Sequence, residues 1–162
     1  MMRYLAVLTM LLMAGAASAQ SSRWYGFLAP GAVSGEGSST RTYQMGGGGE
    51  LHLVHGLGAG AELSAIGTGE RFASSVFGLF SINGYYHFLE NRRYKADPFV
   101  TAGYSLAFRT GTANLFNFGA GVNYWFHEKI GLLFEFRDNV WPVGDATAHY
   151  WGFRIGFSFR PE

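Results

Sequence analysis

Apolar and polar residues alternate with period two through most of the chain. In Leu115–Phe126, the positions Phe116, Phe118, Ala120, Val122, Tyr124 and Phe126 share one face, and Asn117, Gly119, Gly121 and Asn123 the other. Ile130–Arg137 repeats the pattern, with Ile130, Leu132, Phe134 and Phe136 opposed to Gly131, Glu135 and Arg137. The last segment sets Trp151, Phe153, Ile155, Phe157 and Phe159 against Gly152, Arg154, Gly156 and Ser158. Successive side chains of a strand point to opposite faces, so this spacing predicts β-strands with one apolar and one polar face.

Five earlier segments read the same way: Trp24–Val33, Tyr43–His55, Leu57–Ile66, Ser74–Phe88 and Pro98–Phe108. The first carries Pro30, which a sheet tolerates at an edge, a strand start or a bulge. Gly46–Gly49 blurs the second. Eight strands of about ten residues result, the length a tilted strand needs to cross a bilayer. At one end the links are His55-Gly56, Glu90–Lys95 and His127–Lys129. At the other they are Gly35–Arg41, Gly67–Arg71, Thr110–Thr112 and Trp141–Thr147, mostly longer and rich in Gly, Ser and Thr. Short periplasmic turns and longer outer loops alternate in this way in outer-membrane barrels. Glu90–Lys95, long and basic, departs from that rule.

Composition decides which face is wet. Of 162 residues, 48% are hydrophobic and 17% aromatic, but only 14% are charged. A soluble domain carries roughly 25% charged residues. The polar face is mainly Gly, Ser, Thr and Asn, with only two Lys in the chain, whereas a water-facing surface would be rich in Lys, Glu and Asp. Small side chains suit the interior of an eight-stranded barrel, which is only wide enough for side chains to fill. Tyr85, Tyr86, Tyr124, Trp125, Trp141, Tyr150 and Trp151 lie near segment ends, where aromatic girdles meet the membrane interfaces. The fold expected is therefore all-β: an eight-stranded antiparallel up-and-down transmembrane β-barrel. A soluble ligand-binding barrel is the alternative that the polar face argues against.

Residues 1–19 are expected to be a signal peptide, with Arg3 as the positive n-region, Tyr4–Gly15 apolar and Ala17-Ser18-Ala19 a cleavage site. Residues 20–162 form the barrel domain. With no Cys there is no disulfide, thiolate metal site or lipoprotein anchor. A formal net charge of +1 gives no reason to expect a nucleic-acid partner.

The chain resembles the small eight-stranded outer-membrane barrels of Gram-negative bacteria, the OmpA/OmpX-like outer membrane protein beta-barrel family. Tyr150-Trp151-Gly152-Phe153-Arg154-Ile155-Gly156-Phe157-Ser158-Phe159 looks like the aromatic end strand that the barrel-assembly machinery recognises, although Arg160-Pro161-Glu162 follow it. The resemblance implies a monomer in the cell outer membrane, in contact with its lipids. It also implies a structural or passive role with a plugged or very narrow lumen, the alternatives being a small porin-like pore and, behind it, a lipid A-modifying barrel enzyme.

Candidate chemistry is sparse. His52, His55, His87, His127 and His149 include no pair at metal-site spacing, so no metal or cofactor is expected; His52 falls on an inner face. The lipid A deacylase barrels, similar in size, carry a late His-x-Ser-Asn motif, but the corresponding Glu135-Phe136-Arg137-Asp138-Asn139 has neither His nor Ser. A hydroxyl without an adjacent base is a poor nucleophile, so no catalytic residue is assigned. The one constellation is charged. Glu50, Glu62, Glu135 and Arg154 lie five residues from the turn ends of their segments on the polar parity, with Arg137 one step above. Counting from those ends places the four at one level, about 12 Å into the membrane. They are expected to form a mixed-sign lumenal cluster, as a salt-bridge plug in preference to an ion-selective constriction.

Overall fold

A computed structural model describes residues 22–35, 37–69, 75–89, 94–144 and 146–160. The expected signal peptide, most of the basic turn Glu90–Lys95, and Pro161-Glu162 lie outside the described residues. Eight strands follow one another: β1 (Ser22–Gly35), β2 (Ser38–His52), β3 (Leu57–Thr68), β4 (Phe77–His87), β5 (Ala96–Phe108), β6 (Thr112–Trp125), β7 (Ile130–Val143) and β8 (Ala146–Phe159). Each pairs antiparallel with its neighbours in sequence, and β8 closes on β1.

The parity predicted from sequence sets the faces. Arg23, Tyr25, Phe27 and Ala29 of β1 are buried, while Trp24 and Leu28 are exposed. The outer surface bears Leu63, Ile82, Phe116, Phe118, Phe153, Ile155 and Phe157, all at least half exposed. In water this arrangement would be unstable; a bilayer requires it.

Register fixes the tilt. Trp24 faces Gly49, which faces Ala61, which faces Ile82, which faces Tyr104. Tyr104 faces Phe116, Phe116 faces Val140, Val140 faces His149, and His149 faces Ser34. One circuit returns to β1 ten residues beyond its start. With about 3.3 Å per residue and about 4.8 Å between strands, that stagger corresponds to a tilt of about 40°. Depth therefore climbs by a little over one residue per strand at constant register.

The strands are longer than the alternation indicates. Within the links expected at Gly35–Arg41 and Trp141–Thr147, β1 runs to Gly35 and β2 starts at Ser38, and β7 runs to Val143 and β8 starts at Ala146, so the difference in length between the two sets of connections largely disappears. Gly37 (φ 78°) and Gly144 (φ 59°) allow those tight reversals. At the opposite end β2 stops at His52, three residues short of the expected His55. The turn is made by His55 (φ 51°) and Gly56 (φ 79°) and closed by Leu57 N donating to Val54 O at 2.9 Å. Pro30 lies well inside β1. The β1–β8 ladder runs to Leu28↔Ile155 and resumes at Gly31↔Gly152, because Pro30 has no N–H to give.

Candidate functional site

The inner wall carries polar residues on every strand, and they sort into layers. Glu62 (β3), Glu135 and Arg137 (β7) and Arg154 (β8) meet at mid-height, each at most 5% exposed. Arg154 donates to both Glu62 oxygens, Nη1 to Oε2 at 2.8 Å and Nη2 to Oε1 at 3.0 Å. Arg154 Nη1 also stands 3.7 Å from Glu135 Oε2. Arg137 Nε donates to Glu135, and Nη1 to Asn117 Oδ1 at 2.9 Å. Tyr25 donates its hydroxyl to Glu62 at 3.0 Å and bonds Tyr85 at 2.9 Å. Two carboxylates face two guanidiniums, so the layer is neutral and its charges are mutually satisfied.

Glu50 is not in that layer. Glu50 pairs with Gly60, two rungs nearer the turn than Glu62, which pairs with Gly48. The sheet's tilt lowers it further. Its partner is Arg23, directly opposite on β1. Arg23 stands one residue before the first alternating segment, on the inward parity that the segment's own pattern extends to it.

A second cluster forms around this pair at the end where β1 begins and β8 finishes. His87 Nε2 lies 2.7 Å from Glu50 Oε1, and its Nδ1 lies 3.0 Å from both oxygens of Asp97. His52 Nε2 is 3.8 Å from the same Glu50 oxygen, and its ring centroid is 4.7 Å from that of His87. Arg160 Nη2 reaches Asp97 Oδ2 at 3.7 Å. The spacing of His52 and His87 along the chain, 35 residues, carries no signal, because the lumen brings them together and the strand pattern does not.

Glu50 and His87 stand on strands separated by β3. They touch because β3 presents Gly58 between them: a Cβ there would collide with the Glu50 carboxylate. At Gly60 an added Cβ would meet the backbone oxygen of Gly49 at 2.5 Å and Tyr85 Cε2 at 3.1 Å. The small residues on the polar face thus admit long side chains from neighbouring strands.

Between the two ionic layers lies an aromatic one. Tyr25, Phe27, Tyr85, Phe99 and Leu133 are buried together, and the Arg154 guanidinium sits 4.2 Å above the Phe27 ring. Above the mid-height layer, Ile66, Leu79 and Leu115 pack with Phe77, Trp141 and Tyr150. On the outer face, His149 Nδ1 lies 2.7 Å from Asp138 Oδ2, and Asp138 is buried against the wall.

Residues 4–159 match a family model described as the outer membrane protein beta-barrel domain. The N-terminal β-barrel domain of Pseudomonas aeruginosa OprF superposes with a TM-score of 0.63 at 16% identity, over 88% of this chain and 100% of that one. Neisserial surface protein A superposes with a TM-score of 0.65 at 15% identity, over 85% and 96%. OprG from Pseudomonas aeruginosa gives 0.59 at 10% identity, over 88% and 95%. At these identities the likeness is one of fold. Comparison with curated protein sequences finds no match.

Proposed function

The chain belongs to the outer membrane protein beta-barrel family, and from that premise we propose a structural, non-catalytic role as a small barrel with a plugged lumen. The bond from Arg154 on β8 to Glu62 on β3 carries this reading. It crosses the bore at mid-height, with Arg137 and Glu135 beside it and packed aromatic and aliphatic side chains on either side. Opening such a layer for ions would require breaking paired charges in a low-dielectric interior.

In this reading residues 1–19 direct export, and the end where β1 begins and β8 finishes faces the periplasm. The β8 aromatics are read by the assembly machinery, and the barrel is a monomer among outer-membrane lipids. The test is planar-bilayer recording of the refolded mature chain. No stable conductance steps are expected. Discrete steps whose size changes in Arg154→Met would replace the plug by a porin-like pore, and acyl release from lipopolysaccharide would replace it by an enzyme.

A further inference from the structure

We propose that Glu50, His52 and His87 form a binding site for a divalent transition-metal ion, Zn²⁺ by its donor set, at the turn end of the lumen. One carboxylate oxygen of Glu50 and one ring nitrogen each of His52 and His87 all lie within 4.8 Å of one another. Metal bonds of about 2.0–2.1 Å place tetrahedral ligands about 3.3 Å apart. The observed 2.7 Å from Glu50 to His87 and 3.8 Å from Glu50 to His52 bracket that separation. Small side-chain movements complete the set. Two imidazoles and one carboxylate suit Zn²⁺ better than the oxygen-seeking Mg²⁺ or Ca²⁺.

The surroundings are those of a ligand set. The Asp97 carboxylate holds His87 Nδ1 at 3.0 Å, fixing the ring with Nε2 directed at Glu50. A carboxylate behind a ligating histidine is the usual outer partner in zinc sites, orienting the ring and raising its basicity. Arg23 takes the other Glu50 oxygen and leaves Oε1 to the cluster. Gly58 keeps the space between β2 and β4 open. Among the described residues, His52 is the member of the cluster that makes no hydrogen bond. Its Nδ1 is buried without a hydrogen-bond partner, and its Nε2 stops beyond hydrogen-bond distance of Glu50. A metal at this point replaces the proton shared between His87 and Glu50, which leaves to solvent. It engages His52.

The test uses the tag-free mature chain refolded in detergent, with Co²⁺ and Zn²⁺ as probes. One Co²⁺ per barrel is expected, with the intense visible bands of a tetrahedral site, displaced by one equivalent of Zn²⁺. His52→Ala, which removes no hydrogen bond of the wall, should weaken binding by at least about tenfold. Asp97→Asn should weaken it by about 10–100-fold, the usual effect of losing an outer partner. His127→Asn, in an exposed turn, should change nothing. Cu²⁺ should show nitrogen hyperfine structure in the parent, which needs no variant. Absent or non-stoichiometric binding, or binding that survives His52→Ala, would overturn the proposal.

Discussion

Arg154 grips Glu62, 92 residues away along the chain, in preference to Glu135, its register partner on the adjoining strand. Direct opposition makes Glu135 and Arg154 neighbours, but their closest approach is 3.7 Å and Arg137 already holds the Glu135 carboxylate. Removing Arg154 strips a buried Glu62 of both guanidinium bonds. Arg154→Met should cost about 3–5 kcal/mol if the site is dry. Glu135→Gln should cost less, about 1–3 kcal/mol, since the amide oxygen can still accept from Arg137 Nε and what is lost is the charge that assists that bond. Double-mutant cycles by urea unfolding should give a coupling above about 1.5 kcal/mol for Arg154 with Glu62 and below about 0.5 kcal/mol for Arg154 with Glu135. The reverse order would mean that the bidentate bond does not form.

Phe134 and Phe153 face outward within the apolar belt. Phe134→Arg and Phe153→Arg should each cost about 2–4 kcal/mol near the midplane. Asn123→Ser, inside the wall, gives up a 2.8 Å bond from Ser158 and should cost about 1 kcal/mol. Gel mobility before and after boiling, together with urea midpoints in lipid, reads the contrast. Equal stability of all three would reverse the assignment of faces.

Gly58 is spatially committed. An added Cβ meets the Glu50 carboxylate, which Arg23 and His87 pin in place. Gly58→Ala should therefore destabilise by about 1–3 kcal/mol, as overpacking does. At Gly84 the nearest atom to an added Cβ is Ala102 O at 3.8 Å, an ordinary contact. Gly84→Ala should stay within about 0.5 kcal/mol of the parent. Denaturant midpoints of the two variants decide the point.

Asp138 brings a carboxylate to the outer face between Phe136 and Val140, answered by His149 at 2.7 Å. His149→Ala should cost about 1–2 kcal/mol, moderated because the His149 side chain is 43% exposed. Asp138→Leu combined with His149→Leu should restore or exceed the parent stability, since an apolar pair needs no desolvation of charge. A double variant weaker than His149→Ala alone would assign the pair a further contact.

The strands, their faces and the antiparallel order were legible because a barrel wall imposes period two on its sequence. Phe116 and Asn117 already declare which side each occupies. Depth was less legible. Glu50 and Glu62 look level when counted from the turn, yet the register of β2 on β3 and the tilt of the sheet separate them. Arg23 was hidden for a related reason, lying just outside the first alternating segment. Contacts between strands that are not neighbours, such as His52 with His87 and Arg154 with Glu62, depend on circumference and stagger. No one-dimensional spacing encodes either quantity.

Pro30 sets how long the closed barrel stays closed. The rungs missing from the β1–β8 seam lie at Ala29 and Pro30, opposite Arg154 and Phe153. This is the height at which the Arg154 side chain leaves the seam and fastens β8 to β3 across the bore. A side-chain latch thus spans the stretch where the backbone zipper has lost its teeth. Because the latch can engage only after the sheet has rolled shut, losing it should leave the rate of closing nearly unchanged and speed the rate of opening. Amide exchange should quicken first along Leu28–Gly31 and Gly152–Ile155, making the seam the place from which the barrel unzips.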